Sequence, residues 1–131
     1  MPAQTLTKWH SIVQTRDLKA LDLLLADDVV FFSPIVHTPQ VGKAITLKYL
    51  TAAFYVFFNE SFSYVREVNG PHDAVLEFNA EIDGISVNGI DMIKWNDAGK
   101  IIEFKVMVRP LQAINLIHKK MGELLKKMAA Q

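Results

Sequence analysis

GIDMIKWNDAGKII, residues 89–102, reads as two strands joined by an Asn-Asp-Ala-Gly turn. Side chains alternate between the two faces of a strand. Ile85, Val87, Gly89, Asp91, Ile93 and Trp95 therefore share one face. Ile102, Phe104, Val106 and Val108 share a face of the next strand. Together these sets form the expected inner wall of a sheet, and Asp91 lies among them. A lone ionised carboxylate in apolar surroundings costs several kcal/mol. Asp91 must pair with a nearby Lys, Arg, His or backbone amide, remain protonated, or meet water in a cavity. The last two options make it a candidate functional group.

The neighbouring segments extend the sheet. FSYVREV, 62–68, carries a strand signal, and AVLEFNAEI, 74–82, alternates with Leu76, Phe78, Ala80 and Ile82 on one face. Asp83-Gly84 is a tight-hairpin dipeptide. Gly84 and Gly89 are candidate bend or bulge positions. Upstream, Leu6, Trp9, Ile12 and Val13 mark one helical face over residues 5–15. LKALDLLLADD, 18–28, continues as a second helix. VVFFS, 29–33, is a short strand closed by Pro34, and the loop PIVHTPQVG follows. Residues 42–58 form a third helix, apolar nearly all round at its end and so expected to be buried. A strongly amphipathic helix spans about 110–129. Helices grouped against a run of antiparallel strands make an α+β domain. A sheet bent around a helix would enclose a cone-shaped cavity.

The 131 residues are half hydrophobic, which suits one domain, 1–131, with a single core. Fourteen basic and 14 acidic residues give zero net charge, without the clustered positive field that nucleic-acid binding needs. No apolar run is long enough to cross a bilayer, and the N-terminus lacks a signal-peptide pattern. A cytoplasmic protein without nucleic-acid or membrane partners is expected. Absent cysteines exclude a disulfide framework and a thiolate nucleophile. No HExxH or paired-histidine spacing occurs, so neither a metal nor a cofactor is expected. Ile90, Met92 and Met107 fall among charged residues on the reverse face of the sheet, where a second copy could pack to form a homodimer.

The whole chain resembles the nuclear transport factor 2-like superfamily, whose members have a cystatin-like cone fold. It is most similar to the small SnoaL-like and ketosteroid-isomerase-like proteins. TRDLKALDLLLADDVVFFSP resembles the family's helix–helix–strand opening, VGKAITLKYL its third-helix start, and GIDMIKWNDAGKII the isomerases' strand–turn–strand. The resemblance places Asp91 where those enzymes carry a protonated aspartic acid that binds an oxyanion. It also implies an aspartate base just before the proline closing strand one, and a tyrosine donor on helix one. Here those positions hold Ser33 and a residue near Trp9. Serine without a partner is not a base near neutral pH, and indole N–H donates a hydrogen bond without exchanging a proton. Steroid isomerisation by that mechanism is not expected.

His37, in the loop after Pro34, is the expected substitute base beside Asp91, since imidazole is the side chain suited to proton transfer near neutral pH. Trp9, Phe31, Ser33, Phe54, Tyr55, Phe58, Ile93, Phe104 and Val106 are the expected substrate-binding residues. Tyr49 and Tyr64 compete with Tyr55 to place a hydroxyl in the cavity. His118 falls on the last helix's apolar stripe, where a partly buried structural role is expected. These features point to an isomerase, cyclase or lyase acting on a small hydrophobic carbonyl compound, or to a non-catalytic ligand-binding or dimerisation module.

Overall fold

The computed structural model describes residues 2–129. Helices α1 (Pro2–Thr15) and α2 (Leu18–Leu24) lead into strand β1 (Leu25–Phe32). The two-residue strand β2 (Gln40–Val41) and helix α3 (Lys43–Phe57) follow. Strands β3 (Ser63–Asn69), β4 (Asp73–Ile82), β5 (Ile85–Trp95) and β6 (Ile101–Arg109) then precede helix α4 (Leu111–Ala129). The six strands form one curved sheet in the order β2-β1-β6-β5-β4-β3. β1 runs parallel to β6, and the other pairs are antiparallel.

The second helix is shorter than its sequence pattern suggests, and the first strand is longer. Asp17 caps α2 by accepting from the backbone amides of Lys19 and Ala20. The helix ends at Leu24, and Leu25-Ala26-Asp27-Asp28 enter β1. Leu25 pairs with Ile101 and Val30 with Glu103, so the intervening residues of β1 form an irregularity in the ladder. It turns Asp27 and Asp28 to solvent while Leu25 and Val29 stay buried. A second irregularity corrects the inner face of β6. Trp95 pairs with Ile101 and Lys94 with Glu103, which buries Ile101 and leaves Ile102 half-exposed. From Phe104 onward the expected alternation holds.

The β4–β5 hairpin follows the sequence closely. Asp83 and Gly84 both take positive φ, 50° and 79°, as a two-residue hairpin turn requires. Burial alternates along β4 and β5, with Leu76, Phe78, Val87, Asp91 and Ile93 facing inward. Inside the curve, Trp9 of α1 packs on Phe54 of α3 and Phe104 of β6, with ring centroids 5.9 and 5.0 Å apart. This cluster also holds Leu21, Leu25, Val29, Leu50, Leu76 and Ile93. A second cluster joins the end of α3 (Val56, Phe57), the hairpin end of β4 and β5 (Phe78, Ile82, Val87) and α4 (Ala113, Ile117). The apolar end of α3 is thus enclosed between sheet and α4.

Candidate active site

Asp91 lies on the inner face of β5, opposite Leu76 of β4 and Val106 of β6. It is 7% exposed. Its partner is neither a cation nor a backbone amide. Tyr64 of β3 donates its hydroxyl to Asp91 Oδ2 at 2.6 Å, and Trp9 Nε1 donates to the Tyr64 hydroxyl at 3.1 Å. A chain of three side chains thus runs from α1 through β3 to β5. Burial pushes the Asp91 pKa up to about 7, although the Tyr64 hydrogen bond opposes the shift. Burial also raises the Tyr64 pKa, and the adjacent Asp91 charge raises it further. Near neutral pH, Asp91 therefore holds a proton for an appreciable fraction of the time, as a carboxylic acid that donates a hydrogen bond must.

A cavity of about 30 Å³ opens beside Asp91, lined by Trp9, Phe54, Phe58, Phe78, Phe104 and Val106, with Leu50, Ala53, Phe57 and Phe62 completing it. That volume holds one or two water molecules. A larger chamber of about 180 Å³ lies under α4, lined by Phe31, Ser33, Tyr49, Ile117, His118 and Met121 among others. Ala53, Phe57 and Val106 line both spaces. Val106 is also the cross-strand partner of Asp91, so the two spaces adjoin at this position.

The expected site residues divide accordingly. Trp9, Phe54, Phe58, Phe104 and Val106 join Asp91 at the inner cavity, while Phe31 and Ser33 line the outer chamber. Ile93 is buried in the core and lines neither. Tyr55 is 74% exposed, because it lies on the outward side of α3. His37 is also exposed. It borders a shallow surface groove with Pro39 and Lys105 and does not meet Asp91. Its loop is turned by Ser33, whose Oγ accepts from the amides of Ile35 and Val36 at 3.0 and 3.3 Å. His118 is exposed at the rim of the outer chamber, not half-buried in the apolar stripe.

Tyr64, not the expected Tyr55, is the phenol that reaches Asp91. The signal for it was register. Tyr64 pairs with Phe78, which pairs with Gly89, two residues before Asp91 on the same face. Among the described residues no cluster of three or more His, Asp or Glu side chains suited to a metal occurs.

Comparison with known proteins places the chain in a family. Residues 6–104 match the SnoaL-like domain. The chain belongs to the SnoaL-like family. A steroid delta-isomerase from Pseudomonas aeruginosa is 36% identical, with a TM-score of 0.93 over 99% of this chain and 95% of that one. A bacterial protein with a cystatin-like fold from Silicibacter pomeroyi is 27% identical, with a TM-score of 0.83 over 91% and 83% of the two chains. An NTF2-like protein of unknown function from Mesorhizobium loti, 19% identical with a TM-score of 0.71 over 83% and 91%, shares the fold. No curated protein matches the sequence. The SnoaL-like match ends at Phe104, so α4 and the chamber wall it supplies lie beyond it.

Proposed function

We propose that this SnoaL-like protein is an isomerase-type enzyme acting on a small hydrophobic carbonyl compound, with Asp91 as hydrogen-bond or proton donor to the carbonyl oxygen. The observation that carries this reading is the Tyr64–Asp91 pair, buried in an apolar wall with the Asp91 pKa raised to about 7. A donor aimed at developing negative charge in a water-poor site lowers the barrier more than it would in water. The inner cavity is large enough for a carbonyl oxygen but not for the body of a ligand. Likeness to a steroid delta-isomerase supports the reaction class. The test is exchange of α-protons of a β,γ-unsaturated cyclic ketone, cyclohex-3-enone, in D2O, followed by NMR. Asp91→Ala is expected to lose about 100-fold or more, and Asp91→Asn to retain part of the rate as a hydrogen-bond donor. Equal rates in all three proteins overturn the donor role.

A second reading, non-catalytic binding, is favoured by one observation: no base stands at Ser33, whose hydroxyl is occupied by its own loop. Native mass spectrometry separates the readings further, because a retained carbonyl compound supports the first and a ligand lacking a carbonyl supports the second. We propose also that the outer sheet face, where Ile90, Met92 and Met107 are incompletely covered, joins two copies in a homodimer.

A further inference from the structure

The two oxygens of Asp91 have different surroundings. Oδ2 accepts the Tyr64 hydroxyl at 2.6 Å. Oδ1 has no hydrogen-bond partner among the described residues, yet the one side-chain atom there that is fully buried without a partner is Thr46 Oγ1. Oδ1 therefore keeps open space beside it, and the open space beside Asp91 is the inner cavity.

The far end of the chain sets its direction. Trp9 Nε1 donates to the Tyr64 oxygen at 3.1 Å. Indole N–H is a donor with no acceptor capacity, so Trp9 cannot accept the Tyr64 O–H in return. His10 meets the Tyr64 ring edge-on at 5.5 Å, but its Nε2 is turned to Glu67 at 2.8 Å, which ties α1 to β3 at the surface. Among the described residues Tyr64 has no other side-chain partner, so Asp91 Oδ2 is the sole acceptor for its hydroxyl. A proton on Oδ2 would line up three donors, from Trp9, Tyr64 and Asp91, and leave the Tyr64 O–H unpaired. Leaving a buried hydroxyl unpaired disfavours that arrangement by roughly 10-fold or more.

We infer that Trp9 and Tyr64 are positioning residues: by fixing the direction of the Trp9–Tyr64–Asp91 chain they seat the carboxyl proton on Oδ1, where it is the hydrogen-bond donor of the inner cavity. This rests on the donor reading of Asp91 above. The other side chains lining the cavity are apolar, and the Trp9 N–H is engaged by Tyr64. The ligand atom that enters is therefore an acceptor, such as an uncharged carbonyl oxygen, and an ammonium group finds no partner while the proton is in place. Tryptophan at this end of the chain has a role that a phenol would not fill, because a phenol oxygen could accept from Tyr64 and let the direction reverse.

The test uses Asp91→Asn, a near-isosteric variant that makes the direction visible. Its amide oxygen stands in for the accepting oxygen and its NH2 for the protonated one. Val106 and Tyr64 lie on opposite sides of β5, on β6 and β3. In the 15N-labelled variant, nuclear Overhauser contacts from the new NH2 are expected to the Val106 methyls and not to the Tyr64 ring, a preference of about 10-fold or more. Adding Tyr64→Phe should bring the two orientations close to equal and move the Trp9 Nε1–H resonance upfield. Phe keeps the ring, so a Tyr64 that only fills space would change neither reading. Cyclohexanone should shift the NH2 resonances of Asp91→Asn. An NH2 that faces Tyr64, or an orientation and indole resonance unmoved by Tyr64→Phe, overturns the inference and leaves the donor reading to the titration of Asp91. An NH2 that faces the cavity and ignores cyclohexanone upholds the positioning role and overturns the carbonyl reading.

Discussion

At the residue scale, burial decides the chemistry of Asp91. Its folded-state pKa of about 7 lies above the ordinary value of 3.8. The folded protein therefore binds a proton that the unfolded chain releases. The stability from that proton is fully present below about pH 4, declines as pH rises and levels off above about 7. Asp91→Asn has no proton to lose. The stability of wild type relative to Asp91→Asn should therefore fall by on the order of 4 kcal/mol between pH 4 and 8, read by urea unfolding at each pH. Tyr64→Phe removes a hydrogen bond that holds the Asp91 pKa down. The titration midpoint of Asp91 should rise in that variant, as followed by the NMR signal of its carboxyl carbon. Asp91 was legible in the sequence because period-2 alternation exposes a charge on an apolar face. Tyr64 was not, because Tyr49, Tyr55 and Tyr64 look alike until the β3–β4 register is known.

At the element scale, the β4–β5 hairpin is the best-determined part of the molecule. Its Asp-Gly turn and alternation agree, and the structure follows both. Gly89 adds a packing constraint. A Cβ there would lie 2.5 Å from Phe78 Cζ and 2.6 Å from the Met107 carbonyl oxygen. The ring can shift, but the backbone of β6 cannot shift without disturbing the ladder that carries Asp91. Gly89→Ala should cost roughly 1–3 kcal/mol, measured by chemical denaturation. The α2–β1 junction was harder to read. Leu18, Leu21, Leu24 and Leu25 continue a helical spacing into LADD, whereas the chain leaves the helix at Leu25 to pair with Ile101. Tertiary pairing with a strand 76 residues later overrides the local pattern. The bulge in β6 escaped for the same reason, since one inserted residue reverses the parity that alternation relies on.

At the scale of the whole molecule, the architecture was readable and the division of its interior was not. The succession of helices and long strands along the chain and the inward Asp91 follow from pattern, whereas β2, inside the stretch read as a loop, and the parallel β1–β6 pair do not. The two chambers depend on how Phe57, Ala53 and Val106 meet beneath α4, which rotamers and packing decide. His37 was drawn toward the pocket by its place after Pro34, yet the Ser33 turn carries it outside. No described helix is long and apolar enough to cross a membrane. On the opposite side of the sheet, Met107 is 49% exposed. If two copies join there, light scattering should give twice the chain mass of 14.8 kDa for wild type and the single mass for Met107→Glu; a monomeric wild type removes the dimer. The proposed chemistry depends on the fold shielding one carboxyl group from bulk solvent. It takes α1, α3 and four strands to do so, and the proton on Asp91 reports whether they succeed. The carboxyl-carbon resonance of Asp91, assigned against Asp91→Asn, should titrate with a midpoint near 7 in the intact protein. A midpoint near the ordinary 3.8 means an ionised group at neutral pH and removes the donor on which the proposed chemistry stands.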